Sequence, residues 1–288
     1  MFTVLDRISW PGSAERPNED ACGASGDWAW VIDTSIFPGT EPIMGEASDA
    51  AWLAGFANRR LSDLAPGAGD GPSLIRHVME EARTAFMAKA PEERHDFLTW
   101  PVGAMTLVRR QGTSLDVWSF ADTTAFVRRP DGTVRTVGEA PDLRQFEAAK
   151  AAELLQASGA TPKTITGTRV FQEWLAGRRE RQKQGRGLAV LGLDPLAADR
   201  LRHERVPCPD GTAILLTSDG FSALVDLYGA MDAKALVEAA LADGLEPLAR
   251  EARRIETEVD PAGTLYPRFK ESDDTTALLL RVLANPSA

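Results

Sequence analysis

Four acidic positions stand where a strand ends or a loop begins. They are Glu19-Asp20 after Asn18, Asp33 after the run Trp28 to Ile32, Asp219 after Ile214, Leu215 and Leu216, and the pair Asp273-Asp274 ahead of an apolar stretch. An aspartate that directly follows a buried strand is held rigidly at a sheet edge, which suits a site needing fixed oxygen ligands. Taken singly, each is more simply a turn former that caps the next turn. Four of them, spread over the whole chain at the same kind of position, point to one shared site.

The elements that must position them follow from periodicity. Strand-like segments run over Phe2 to Ser9 and Trp28 to Asp33. A helix capped by Ser48 or Asp49 carries Trp52, Leu53, Phe56 and Leu61 and ends at Pro66-Gly67. A second spans Ser73 to Ala90, with Leu74, Val78, Ala82 and Phe86 on one face. Strands follow at Met105 to Arg109, Leu115 to Phe120, Thr124 to Arg129 and Thr133 to Val137, the last two joined by Pro130-Asp131-Gly132. Helical patterns resume at Leu143 to Ala157, closed by Gly159, and at Val170 to Gln184. A strand at Thr212 to Thr217, two or three helices from Phe221 to Glu258, and a last strand at Thr275 to Val282 complete the chain. Antiparallel strands with helices in pairs argue for packed sheets covered by helices, an α+β arrangement, over a doubly wound parallel sheet. With no Pro/Ser-rich linker and no internal repeat, residues 1–288 are expected to form a single domain.

The formal net charge of −10 argues against a nucleic-acid binder, which needs a basic surface. It also means that a phosphorylated substrate would need a local cation, Arg, Lys or metal, to be attracted. Cys22 and Cys208 are far apart and at no metal-ligand spacing, so neither a disulfide framework nor a zinc site is suggested. No signal peptide and no membrane-spanning stretch is visible, and a cytoplasmic protein is expected.

Six segments, in order, resemble the PPM family of metal-dependent, PP2C-type serine/threonine phosphatases: RPNEDA from Arg16, WVIDT from Trp30, GAMT from Gly103, WSFADTTAFV from Trp118, LLTSDGF from Leu215 and SDDTTALLL from Ser272. The resemblance covers nearly the whole chain. It implies a four-layer α/β-β/α sandwich of two antiparallel sheets flanked by helices, with a binuclear Mn²⁺ or Mg²⁺ centre in the cleft between them. By that likeness Asp33 bridges both metals, Glu19 and the carbonyl of Thr34 complete one, and Asp219 and Asp273 hold the other. Asp20 and Asp274 then stand one step behind, and Asp122 corresponds to the ligand of a weaker third metal. The implied reaction is hydrolysis of phosphoserine and phosphothreonine on a protein substrate by water activated between the metals. Hard cations and carboxylate oxygens suit that chemistry, and no G-x-S-x-G elbow, Walker A loop or H-E-x-x-H competes with it.

Three departures from the family pattern bear on this expectation. Thr34-Ser35 replaces the glycine-rich run after Asp33, and the histidine that some members carry there is missing. The phosphate-binding arginine, commonly four residues before the glutamate, is Glu15 at that position. Arg16 lies three before it and is the candidate, with Arg268 and Lys270 as rivals. Ala121 and Thr123 flank Asp122 in place of Gly and Ser. The altered second motif and shifted arginine leave room for a pseudophosphatase that binds phosphoproteins without hydrolysing them. Hydrolysis of a small phosphorylated metabolite is a third reading; oligomeric state is not legible. Arg178, Arg179, Arg181, Lys183 and Arg186 form a basic cluster, either a docking patch for a phosphorylated substrate or, more ordinarily, a solvated helix face. His77, His95 and His203 sit at no metal spacing, His203 just ahead of a strand, and read as surface or packing residues.

Overall fold

A computed structural model describes residues 1–138 and 142–283. Ten strands form two five-stranded sheets, antiparallel throughout. The first contains β1 (Phe2–Trp10), β10 (Thr275–Val282), β9 (Ala213–Thr217), β6 (Thr124–Arg128) and β7 (Val134–Val137), in that order. The second contains β2 (Asp20–Ser25), β3 (Trp28–Ser35), β4 (Val102–Gln111), β5 (Ser114–Phe120) and β8 (Arg202–Pro207).

The sheets face each other across an aliphatic layer. Val31, Val108 and Val117 of the second sheet meet Ala125, Leu216, Leu278 and Leu280 of the first, all buried. The outer face of the second sheet is covered by α1 (Asp49–Leu64) and α2 (Gly71–Met87), which close over Trp30, Ile32 and Leu107. The outer face of the first is covered by α5 (Asp219–Asp226), α6 (Ala233–Asp243) and α7 (Glu246–Arg254) through Phe221, Leu236 and Leu248. This is the expected four-layer α/β-β/α sandwich. Because strands expose side chains alternately, each sheet needs an apolar partner on both faces, and the sequence supplies runs such as Ala277 to Leu280 that are buried throughout.

Two further helices, α3 (Leu143–Ser158) and α4 (Arg169–Lys183), pack around a small separate cluster of Leu154, Ile165 and Phe171. Ser48 is the N-cap of α1, accepting from the Ala50 N–H at 3.0 Å, whereas Asp49 is buried in an ion pair with Arg94 at 2.7 Å. Two strands escape the sequence reading. β2, DACGAS, is built of small residues with little hydrophobic contrast. β8, RHERVP, is a polar edge strand, so His203 lies within a strand rather than before one, and bonds Asp116 at 2.8 Å. Among the described residues no helix is long and apolar enough to cross a membrane.

Candidate functional site

The acidic positions come together at one end of the sandwich. Glu19 precedes β2, Asp33 lies near the end of β3, Asp219 opens α5 directly after β9, and Asp273 and Asp274 lead into β10. With Asp122, from the turn between β5 and β6, they line one cavity of about 860 Å³. Asp20 and Thr34 stand behind its wall, both buried.

The ladder itself creates an electrostatic problem. Asp20 is the direct cross-strand partner of Asp33, and like charges directly opposite destabilise a sheet. Burial first, then Asp274 and other neighbouring carboxylates, pushes the Asp20 carboxyl well above its usual range. Burial, Asp20 and Asp219 do the same to Asp33. Burial and surrounding acids also raise Glu19 and Asp273, and burial with Glu147 and Asp219 pushes Asp122 up to about 7. Asp219 is the exception. Burial raises it, but Arg144 and Lys270 outweigh burial and hold it below the ordinary range.

Backbone geometry fixes these groups closely. A Cβ on Gly103 would lie 2.3 Å from the Asp33 carbonyl oxygen, and one on Gly220 would lie 2.1 Å from that of Asp274. Both glycines are therefore required by close approach of backbone to backbone. Asp274 does not face the cavity as a free acid. Its two oxygens accept the Gly12 and Glu19 N–H groups, each at 2.7 Å, and so tie the loop before β2 to the loop before β10. The Thr34 N–H donates to the Glu19 carbonyl at 3.1 Å, while the Glu19 N–H goes to Asp274, so the return bond to the Thr34 carbonyl is not made. That leaves the carbonyl expected to act as a ligand without its ladder partner. The Thr34 hydroxyl donates to the carbonyls of Glu19 at 2.6 Å and Ala50 at 2.8 Å, which fixes a residue standing where glycine was expected.

The donor set is entirely hard oxygen, and two buried oxygens, Asp20 Oδ2 and Asp219 Oδ1, have no hydrogen-bond partner among the described residues. Buried acceptors left unpaired are costly, and a hard divalent cation is the species such a set fits. As they stand, no three His, Cys, Asp or Glu side chains among the described residues already converge as a ligand group. Two of the acids are engaged by protein groups: the Ser48 hydroxyl donates to Glu19 Oε1, and the Lys270 ammonium holds Asp273 Oδ1.

The cations sort differently from the sequence expectation. Arg16 is exposed on the rim of the cavity. Arg268 is not available to a phosphate, because it is buried on Asp260 Oδ2 at 3.2 Å and on the carbonyls of Glu256 and Asp260 at 2.9 and 2.7 Å. Nor is the basic cluster simply a solvated face. Arg178 is bonded to Glu147, and Arg179 is 2% exposed. Among the described residues Arg179 reaches only the Ser35 carbonyl, at 3.4 Å, and its Nη1 has no partner. Burial first and then Arg178 push its guanidinium down to about 9. Sequence reasoning missed Arg144, whose guanidinium bonds the Asp219 carboxylate at 3.3 Å, its carbonyl at 2.6 Å and Asp226 at 3.0 Å. It missed Glu147 as well. Both lie on α3, where no motif marks them.

No family model matches the sequence, and no curated protein matches it. Solved structures do. The catalytic domain of the serine/threonine phosphatase PstP, in complex with two manganese ions, is 16% identical over 99% of this chain and 98% of its own, with a TM-score of 0.55. The PPM Ser-Thr phosphatase MsPP from Mycobacterium smegmatis, in complex with cacodylate, is 20% identical over 98% and 100%, at 0.51. The photosystem II phosphatase PBCP is 14% identical over 99% and 100%, at 0.60. The chain has the fold of the PPM, PP2C-type serine/threonine phosphatases from end to end.

Proposed function

We propose that this protein is a metal-dependent phosphatase that hydrolyses phosphate monoesters, with phosphoserine and phosphothreonine on proteins as its substrate class. The observation that carries the reading is the gathering of Glu19, Asp33, Asp219 and Asp273 on one cavity, over two buried carboxylate oxygens that have no hydrogen-bond partner among the described residues. Asp33 would contact two divalent ions, Mn²⁺ or Mg²⁺. Glu19 and the Thr34 carbonyl would complete one, and Asp219 and Asp273 the other; Asp122 is the candidate for a third. When bound, such ions supply Lewis acidity toward a phosphate ester and toward water. They also reverse the sign of an acidic cavity, which a phosphate would otherwise avoid.

The chain's own residues prepare this arrangement. Arg144 keeps Asp219 ionised and oriented. Asp274 fixes the Glu19 loop. Arg16, exposed at the cavity, would meet a substrate phosphate. The four-layer fold shared with PstP, a phosphatase solved with two manganese ions, supports the same reading.

Hydrolysis of para-nitrophenyl phosphate by the purified protein, with Mn²⁺, with Mg²⁺ and with EDTA, tests it. Metal-dependent turnover is expected, falling by roughly 100-fold or more in Asp219→Asn, since even groups one step behind a metal are worth 10–100-fold. A folded protein inactive with either metal would sink the catalytic reading and leave phosphoprotein binding in its place.

A further inference from the structure

One cation of the cavity, expected only as a rival for the substrate phosphate, is held instead on a carboxylate of the cluster. Lys270 lies on the segment between α7 and β10, three residues before Asp273, and its ammonium donates to Asp273 Oδ1. Its placement is built rather than incidental. On one side Phe269 packs on Trp174 and Phe171 of α4, with ring centroids 4.8 and 5.3 Å apart. One residue further back, Arg268 is locked on Asp260 and on four backbone carbonyls. With its neighbours anchored in this way, Lys270 points into the carboxylate cluster. Its charge acts on Glu19, Asp33, Asp219 and Asp273 alike.

We propose that Lys270 is a resident counter-ion of this cluster that competes with one divalent metal for Asp273. The protein then takes one Mn²⁺ tightly and a second only at the expense of the Lys270–Asp273 contact. The inference rests on the metal-dependent reading above and adds to it a determinant of metal occupancy. The physical reason is that an ammonium and a divalent cation cannot share one carboxylate edge without repulsion, and each unit of resident positive charge lowers the demand of the carboxylates for a second metal. An ammonium has no lone pair, so Lys270 can only compete with a metal and never ligate it.

Mn²⁺ titration of the metal-stripped protein, followed by calorimetry and by the paramagnetic resonance of free Mn²⁺, tests this in wild type, Lys270→Met and Lys270→Gln. Lys163→Met, which removes an exposed lysine on the same cavity, serves as the charge control. The expected result is one tight and one weak site in wild type and in Lys163→Met. In both Lys270 variants the weak site should tighten by about tenfold or more, the usual size of coupling between sites that share a group. Superimposable isotherms for wild type and both Lys270 variants would overturn the inference. If those variants also raised KM for para-nitrophenyl phosphate, Lys270 would belong to substrate binding instead. No Mn²⁺ binding by any of the proteins, each shown folded by its melting transition, would overturn the inference together with the metal-dependent reading. Two tight sites in wild type would overturn the inference alone.

Discussion

The floor and the wall of the cavity handle charge in opposite ways. On the floor, Glu19, Asp33 and Asp273, with Asp20 buried behind them, come from strand ends and loops of two sheets, and burial and mutual repulsion hold all four above the ordinary carboxylate range. On the wall, α3 and α4 contribute Arg144, Glu147 and Arg178, and each charge meets an opposite one: Arg144 on Asp219 and Asp226, Arg178 on Glu147. Apart from Arg179, such a wall is settled by folding alone. An unpaired floor stores repulsion that only a proton, Lys270 or a metal can relieve. Rigid strands and glycine-packed turns let the floor bear that load, since the backbone carbonyls of Asp33 and Asp274 are packed directly against Gly103 and Gly220.

The largest expected effect follows from the floor. A carboxyl raised above its unfolded value keeps its proton longer in the folded state. Its contribution to stability is fully present below the unfolded value, near pH 4, and is lost as pH climbs through the folded value. Glu19, Asp20, Asp33 and Asp273 all move in this direction, and Asp122 titrates at about 7. Only Asp219 on this floor moves the other way, and it loses its contribution as pH falls through its lowered value. The metal-free protein should therefore be more stable at pH 5.5 than at pH 8, by roughly 2–4 kcal/mol, because each tenfold gain in proton affinity on folding is worth about 1.36 kcal/mol. Mn²⁺ should invert the order, because the ligands must lose their protons to bind it. Chemical denaturation at both pH values, in EDTA and in Mn²⁺, measures this. Lower stability at pH 5.5 in EDTA would mean that the floor is not under strain.

The same contrast decides what could be read beforehand. The floor was legible at Asp33, Asp219 and Asp273 because each follows or precedes an apolar run, whereas Glu19 and Asp20 were legible only through the likeness of the RPNEDA segment. β10 was placed at Thr275 to Val282 from that pattern, and the bounds hold. The opposition of Asp20 to Asp33 was not legible, because it depends on the register of β2, a strand of small residues with no contrast between its faces. The wall was legible only as a cluster of charges. In α4 arginines stand side by side at 178 and 179, and nothing in their types separates Arg178, which meets Glu147, from Arg179, buried against β3. Arg268 read as a free cation for the same reason: its partner Asp260 ends a one-turn π-helix that no sequence pattern announces.

An intermediate effect comes from treating those two arginines as a pair of experiments. Removing Arg178 leaves Glu147 unpaired next to Asp122, so Arg178→Met should destabilise the protein by about 1–3 kcal/mol, less than a fully buried pair because both partners keep some solvent. Arg179→Met removes a buried charge that has, among the described residues, no carboxylate partner and one weak bond, to the Ser35 carbonyl. A Met of similar length should be neutral or stabilising by about 1–2 kcal/mol, as when apolar groups replace buried ions. Urea melts of the two variants check the ordering. Equal destabilisation by both would show that Arg179 is as well satisfied as Arg178.

The smallest effect lies where floor and wall meet. Ala121, before Asp122, holds φ at +52°, in the left-handed region where the family pattern has Gly. That conformation costs an alanine about 1–2 kcal/mol. Ala121→Gly would relieve it, but glycine loses about 0.4–1 kcal/mol more backbone entropy on folding. The alanine methyl, on a residue only 6% exposed, contributes about 0.8 kcal/mol through burial. These terms nearly cancel, so the variant should melt within about 0.5 kcal/mol of wild type. A gain above about 1 kcal/mol would mark the Asp122 turn as a strained element, with the strain set against the floor's carboxylates. A loss of that size would mean that methyl packing, rather than glycine's conformational freedom, holds Asp122 in place.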